Sequence, residues 1–193
     1  LISFPTVSRD TNIPLIDWVE GYLEGHGITS HRYIDPSEPK HGLFAHVGPQ
    51  VEGAVVLSGH TDVVPVTDQD WNSDPFTLHR NGNRLHGRGS CDMKGFFPLA
   101  IAAASQFIDT PLQQPLIFLA TADEESSMNG ARALAAAGKP KARAAIIGEP
   151  TSLAPIRMHK GIMMEAVSIT GKAGHSSNPL LGNSALEGAH EVM

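Results

Sequence analysis

The chain has 193 residues, of which 41% are hydrophobic and 18% are charged, a composition typical of a globular protein. Acidic residues outnumber basic residues by 20 to 14, and the absence of a basic run with interleaved aromatics argues against nucleic-acid binding. No apolar run reaches the roughly 18 residues that a membrane span needs, and the single cysteine, Cys91, excludes an internal disulfide and favours the cytoplasm.

The first third of the sequence predicts a helix followed by three strands. Apolar residues recur at helical spacing between Ile13 and Leu23 after the polar pair Thr11-Asn12, which predicts a capped amphipathic helix. Segments 28–34 and 43–47 predict short strands. The continuous apolar run 53–59, which ends in glycine, predicts a strand buried on both faces.

The middle of the sequence alternates between predicted strands and predicted helices. Asn81-Gly82-Asn83 is a typical hairpin turn between two short polar strands. Further along, apolar runs predict buried strands and Ala-rich stretches predict helices. Buried strands that alternate with helices predict an α/β fold, a mostly parallel sheet with helices on both faces. The predicted elements are the hairpin strands 76–80 and 84–86, helices 96–107 and 129–137, and buried strands 116–122 and 144–147.

The character of the sequence changes after about Lys160. Segment 163–170 alternates between apolar and polar residues, which predicts a half-solvated antiparallel strand. A glycine-rich loop follows, and 184–192 predicts a helix that is still running at the last residue. We therefore expect one domain over residues 1–160 and the beginning of a second over residues 161–193.

Ionisable side chains follow three of the predicted buried strands, and one more lies in a glycine-rich turn before a helix. The carboxyl ends of parallel strands share one edge of a sheet, so these residues are expected to converge. Several carboxylates at one edge repel each other, and a metal ion neutralises such a cluster. Mixed imidazole and carboxylate donors favour zinc, cobalt or manganese over calcium. The residues are His60, Asp62, Asp92, Glu124, Glu125 and Glu149.

Each of these residues also has a purely structural interpretation. Asp92 could cap the helix that follows it, and Glu124 and Glu125 could form the acidic first turn of the next helix. His60 could be an ordinary hydrogen-bonded histidine, Asp62 could cap a turn, and Glu149 could be a loop residue before a proline. Their joint occurrence after three apolar strands favours the metal site.

Five segments of the chain resemble a known motif set. In the same order, they are similar to the motifs of the zinc-dependent metallopeptidase family that includes aminoacylases, acetylornithine deacetylases and succinyl-diaminopimelate desuccinylases. The resemblance implies a zinc-peptidase-like catalytic domain over residues 1–160. It also implies that residues 161–193 begin an inserted α+β dimerisation, or lid, domain. The segments are Ser58–Pro65, Gly87–Gly95, Thr121–Glu125, Ile147–Thr151 and Gly171–Ser177.

The resemblance also implies a site for two divalent metal ions, zinc first and cobalt as an alternative. His60 and Glu149 would bind one ion, Glu125 the other, and Asp92 would bridge them beside a cis Asp92–Met93 peptide bond. Asp62 would orient the imidazole of His60 and raise its basicity.

The implied activity is hydrolysis of a small N-acyl amino acid by a hydroxide that bridges the two metals. Glu124 would be the general base, and His175 would reach across a homodimer into the partner's active site. No nucleic-acid or membrane partner is expected. Segments around Cys91, 126–128 and 159–161 resemble the acetylornithine deacetylase branch, which implies release of acetate from N2-acetyl-L-ornithine in arginine biosynthesis. A succinyl-diaminopimelate desuccinylase and an N-acyl amino-acid aminoacylase remain alternatives.

One element of the family pattern has no match in this sequence. The second metal needs a further histidine, and His190, on a predicted helix of the second domain, does not match it. We therefore expect this chain to be the N-terminal part of a longer protein, with that histidine beyond Met193. An alternative of a different class is a truncated, non-catalytic module that binds metal or a partner.

Overall fold

The computed structural model describes residues 1–34, 39–107, 110–163 and 165–192, and it divides into two compact units. The first unit is Leu1–Ala154 and the second is Pro155–Met193. Among the helices of the described residues, none has both the length and the apolar character that crossing a membrane requires.

The helices and strands of the first unit agree with the predicted ones to within a few residues. One sheet has five strands in the order β1-β2-β6-β3-β7, and β4 and β5 form a separate hairpin. The elements are α1 (Ile13–Gly25), β1 (Ser30–Ile34), β2 (His41–Val47), β3 (Val55–His60), β4 (His79–Asn81), β5 (Arg84–His86), α2 (Phe96–Ser105), β6 (Leu116–Thr121), α3 (Asn129–Ala136) and β7 (Ala144–Ile147).

The five-stranded sheet is mostly parallel, as predicted. The central strand β3 pairs in parallel with β6 on one side and with β7 on the other. Strand β2 is antiparallel to both of its neighbours, β1 and β6. The carboxyl ends of β3, β6 and β7 therefore lie at the same edge of the sheet.

Helices cover both faces of this sheet, which confirms the predicted layering. On one face, Leu15 of α1 is buried against Leu43 of β2, and Phe97 of α2 packs on the same cluster. On the other face, buried Leu134 of α3 lies beside Gly42, the strand neighbour of Leu43. Successive strand residues point to opposite faces, so α3 lies across the sheet from α1 and α2.

The start of α1 differs from the predicted cap. The Asn12 side chain makes no capping hydrogen bond to the helix. Instead, it donates to the carbonyl oxygen of His41 at 2.8 Å and to the hydroxyl of Thr61 at 3.0 Å. The polar residue before the helix therefore ties α1 to β2 and to the residue that follows β3.

The prediction that 144–147 is a buried strand is wrong about burial. Strand β7 forms there, but Ile146 and Ile147 are 55% and 62% exposed. Within the described part of the chain it is the edge strand of the sheet, paired with β3 alone. An apolar run indicates a strand that can be buried, but burial also requires cover on both faces.

The second unit contains a short 3₁₀ helix, Pro179–Leu181, and α4, Ala185–Val192, where a helix is predicted. The predicted strand at 163–170 is wrong for its described residues, which form no strand; residue 164 lies outside them. A strand requires a partner, and the pairing found among the described residues of this unit is a single bridge between Lys172 and Asn183.

Candidate active site

Four of the predicted site residues meet at the carboxyl edge of the sheet. His60 is the last residue of the central strand β3, and its side chain is 1% exposed. Its Nε2 lies 3.1 Å from Oδ1 of Asp92, 3.8 Å from Oε1 of Glu149 and 3.9 Å from Oε2 of Glu124. The imidazole is therefore the centre of a ring of carboxylates from three separate segments.

Three of these groups could hold one metal ion. One ligand atom each from His60, Asp92 and Glu149 lies within 4.8 Å of the other two. The donors are one imidazole nitrogen and two carboxylate oxygens, a set that suits zinc and similar divalent ions. The carboxylate of Glu125 is not part of this three-donor group.

Asp62 lies on the far side of the His60 ring. The Nδ1 of His60 donates to the carbonyl oxygen of Asp62 at 2.8 Å, and Oδ1 of the Asp62 side chain is 3.5 Å away. Both partners accept hydrogen bonds only, so the proton of a neutral ring is on Nδ1. The lone pair on Nε2 is then directed at the carboxylates, as a metal ligand requires.

The pKa values of His60, Glu125 and Glu149 are all raised, and a bound cation would lower them. Burial alone would lower the pKa of His60, but the hydrogen bond and charge of Asp62 raise it to about 9. Burial, with added repulsion from Asp92, raises the pKa of both Glu125 and Glu149. These carboxyl groups resist ionisation side by side, so the donor set fits a divalent cation.

The turn that carries Glu124 and Glu125 is fixed by hydrogen bonds to the buried side chain of Asp62. Oδ1 of Asp62 accepts a hydrogen bond from the backbone N–H of Glu124 at 3.2 Å, and Oδ2 accepts one from Glu125 at 3.1 Å. The alternative that these glutamates open the next helix is wrong, since α3 begins at Asn129 and has no acidic residue in its first turn. The Glu124 side chain remains 36% exposed.

The glycine-rich turn presents Asp92 to the site and does not use it as a cap. Helix α2 has no side-chain capping bond at its N-terminus, and the Asp92 side chain is 48% exposed. The Asp92–Met93 peptide bond is cis. A Cβ on Gly95 would lie 2.1 Å from the carbonyl oxygen of Ser90, so the turn can close only with glycine there.

Sequence reasoning missed three residues that support the site. The Ser8 hydroxyl donates to Oδ2 of Asp62 at 2.8 Å. The buried Lys40 ammonium contacts both the Ser8 carbonyl oxygen and the Asp123 carboxylate. Asp123 lies within the segment Thr121–Glu125, directly before Glu124, but no local pattern marks Ser8 or Lys40.

His175 lies in an exposed loop of the second unit. Its Nδ1 accepts a hydrogen bond from the backbone N–H of Ser177 at 3.2 Å and is 2.7 Å from the Ser177 hydroxyl. Because the backbone N–H can only donate, Nδ1 of the neutral ring carries no proton. Nε2 of His175 therefore carries the proton and is a hydrogen-bond donor.

Comparison with known proteins agrees with this geometry. Residues 56–189 match the model of Peptidase family M20/M25/M40. The chain belongs to this family. Acetylornithine deacetylase of Klebsiella pneumoniae is 42% identical over all of this chain, and that of Pasteurella multocida is 44% identical. This M20/M25/M40 chain spans about half of each relative, 52% in both cases.

A solved structure supports the fold assignment for this family member. The M20 family metallo-carboxypeptidase Sso-CP2 from Sulfolobus solfataricus has a TM-score of 0.67 and 19% sequence identity. The match covers 76% of this chain and 35% of that one.

Proposed function

We propose that the protein is a metal-dependent amidohydrolase that removes the acetyl group from N2-acetyl-L-ornithine. The observation that carries the proposal is the convergence of His60, Asp92 and Glu149 within 4.8 Å, with Glu124 beside them. The choice of substrate rests on 42–44% identity to acetylornithine deacetylases over the whole chain.

His60, Asp92 and Glu149 would hold one metal ion, and Glu125 with Asp92 would contribute to a second. Zinc is our first assignment and cobalt the alternative, because the donors combine imidazole nitrogen with carboxylate oxygen. When bound, such ions polarise the amide carbonyl and lower the pKa of a water molecule. Asp62 keeps the His60 ring in the tautomer that leaves Nε2 free to bind metal.

Glu124 is the group best placed to move protons. Its side chain lies beside His60 and is 36% exposed, and its backbone is fixed by the hydrogen bond to Asp62. We assign it as the general base that takes a proton from the attacking water and returns it to the leaving amine. Both steps need a carboxylate that is firmly positioned yet reachable from solvent.

The remaining assignments concern the second unit and the whole protein. We assign residues 1–160 to the catalytic domain and residues 161–193 to the beginning of an inserted dimerisation domain. In a homodimer, the Nε2–H of His175 would donate to the oxyanion in the partner's active site; such a donor contributes about 3–4 kcal/mol. The tautomer imposed by Ser177 supports this role. A cytoplasmic location is proposed from the single cysteine.

A hydrolysis panel on the full-length protein tests the proposal. The substrates are N2-acetylornithine, N-succinyl-diaminopimelate and several N-acetyl amino acids, each with added Zn²⁺, with Co²⁺ and with a chelator. We expect the highest kcat/KM for N2-acetylornithine and loss of turnover with the chelator. A higher kcat/KM for the succinyl substrate or for an N-acetyl amino acid would reassign the substrate, and full activity in chelator would refute metal dependence.

A further inference from the structure

A closed ring of polar contacts lies behind the candidate site. Ser8 donates to the Asp62 carboxylate, which accepts the backbone N–H groups of Glu124 and Glu125. The residue before them, Asp123, is ion-paired with Lys40, whose ammonium also contacts the Ser8 carbonyl oxygen. The ring therefore begins and ends at Lys40.

Asp123 sets the path of the chain as it leaves β6. It adopts a left-handed conformation with φ of 63°, which is uncommon for a residue other than glycine. Its carbonyl oxygen accepts hydrogen bonds from the backbone N–H groups of Ser126 at 3.4 Å, Ser127 at 3.1 Å and Met128 at 2.6 Å. The direction of the following peptides, and so of the Glu124 and Glu125 amides, depends on how Asp123 is held.

The Asp123 side chain is held by a buried ion pair with Lys40. The side chains of Lys40 and Asp123 are 9% and 6% exposed. Without Lys40, the Asp123 carboxylate would be a buried charge that has lost its cation, a costly arrangement that the turn would relieve by moving. The Asp62 carboxylate, 3% exposed, lies at the other end of the same turn.

We propose that Lys40 is a positioning residue for Glu124 and Glu125. It contacts neither glutamate and acts through two routes, the Asp123 carboxylate and the Ser8–Asp62 link. The proposal rests on the proposed function for its catalytic consequence, because Glu124 is there the general base and Glu125 a metal ligand. A purely structural ion pair would stabilise the fold without setting the geometry of this turn.

The variants distinguish the cost of a buried, unpaired charge from the loss of positioning at the turn. Lys40→Met alone leaves Asp123 buried and unpaired, and the resulting loss of stability would obscure any local effect on the turn. The double variant Lys40→Met/Asp123→Asn removes both charges with little change in volume and is the decisive one. Lys40→Arg restores the charge and is the conservative comparison. Lys141→Met, at an exposed lysine, is the matched control.

The first readout is amide hydrogen exchange of the metal-free, full-length protein. In the double variant, we expect the Glu124 and Glu125 amides to exchange at least about tenfold faster than in wild type, with the core strands unchanged. Lys40→Arg should recover part of the protection, and Lys141→Met should match wild type. Unchanged exchange at both glutamates, or equally faster exchange throughout the protein, would overturn the proposal.

The second readout is kinetic. We expect kcat of the double variant to fall by about 10- to 100-fold while KM changes by less than about twofold, since displacement of a catalytic group has effects of this size. An unchanged kcat with faster exchange at the turn would overturn the positioning role. If the wild type hydrolyses none of the panel substrates, the proposed function fails. Co²⁺ affinity then replaces kcat, and equal affinity in wild type and double variant would overturn the role of Lys40.

Discussion

The proton on His60 gives a quantitative test of the metal site. In the metal-free protein its pKa is raised from 6.5 to about 9, so at pH 7 the ring is protonated in about 99 of 100 molecules. A metal ion that binds Nε2 must displace this proton. We expect about one proton from His60 per bound ion at pH 7.5, and an affinity that weakens as the pH falls. Between pH 9 and pH 7 this group alone weakens the affinity by about 50-fold, or ~2.3 kcal/mol.

Asp62→Asn is the perturbation that isolates this effect. It removes the carboxylate that raises the pKa of His60 but leaves the burial that lowers it. The variant should therefore release well under one proton from the histidine at pH 7.5. The neutral amide also places an N–H group where the carboxylate accepts hydrogen bonds from O–H and N–H donors. About 1–3 kcal/mol of stability is therefore lost for each unmatched contact.

Isothermal titration with Co²⁺ in two buffers of different ionisation enthalpy measures the protons released per ion. Asp70→Asn, at an exposed aspartate, is the matched control and should behave as wild type. Equal proton release by wild type and Asp62→Asn would refute the role of Asp62. Affinity that is constant from pH 6.5 to pH 8.5 in wild type would refute ligation by a protonated His60.

Three further predictions concern catalysis and stability. Glu124→Gln should abolish turnover but leave metal content intact by elemental analysis; near-normal turnover would exclude it as the base. Ser177→Ala should lower kcat, because it removes the 2.7 Å contact that helps to fix His175, while Ser176→Ala should not. In the metal-free protein, the contribution of His60 to the free energy of unfolding is fully present below pH 6.5 and is lost as the pH rises to about 9. It amounts to about 3 kcal/mol. Denaturant titrations at pH 6.5 and 9 should show that loss, and equal values would contradict it.

The strands and the ends of the strands were predictable from the sequence. The apolar runs before His60, Glu124 and Glu149 mark β3, β6 and β7, and a largely parallel sheet brings their carboxyl ends to one edge. The role of Asp92 is harder to predict, because an aspartate in a glycine-rich turn before a helix could also be a helix cap. Only the observed distance to His60 and the missing capping bond decide between the two interpretations.

What the sequence did not reveal depends on contacts between distant segments. Ser8 meets Asp62 across 54 residues, and Lys40 meets Asp123 across 83 residues. A lone lysine in a polar loop carries no periodic signal, and its burial follows only from the packing of the folded chain. The exposed faces of β7 have a similar origin, since local apolarity does not determine which neighbours a strand will have.

From the strand order, we expect the site to assemble late in folding. Val55 of β3 pairs with Leu116 of β6 and Ala144 of β7, so two long loops must close before the ligands meet. Pairings between such distant segments form slowly. A metal ion that needs all three strand ends binds after this closure. It would therefore lower the unfolding rate of the sheet far more than it would raise the folding rate.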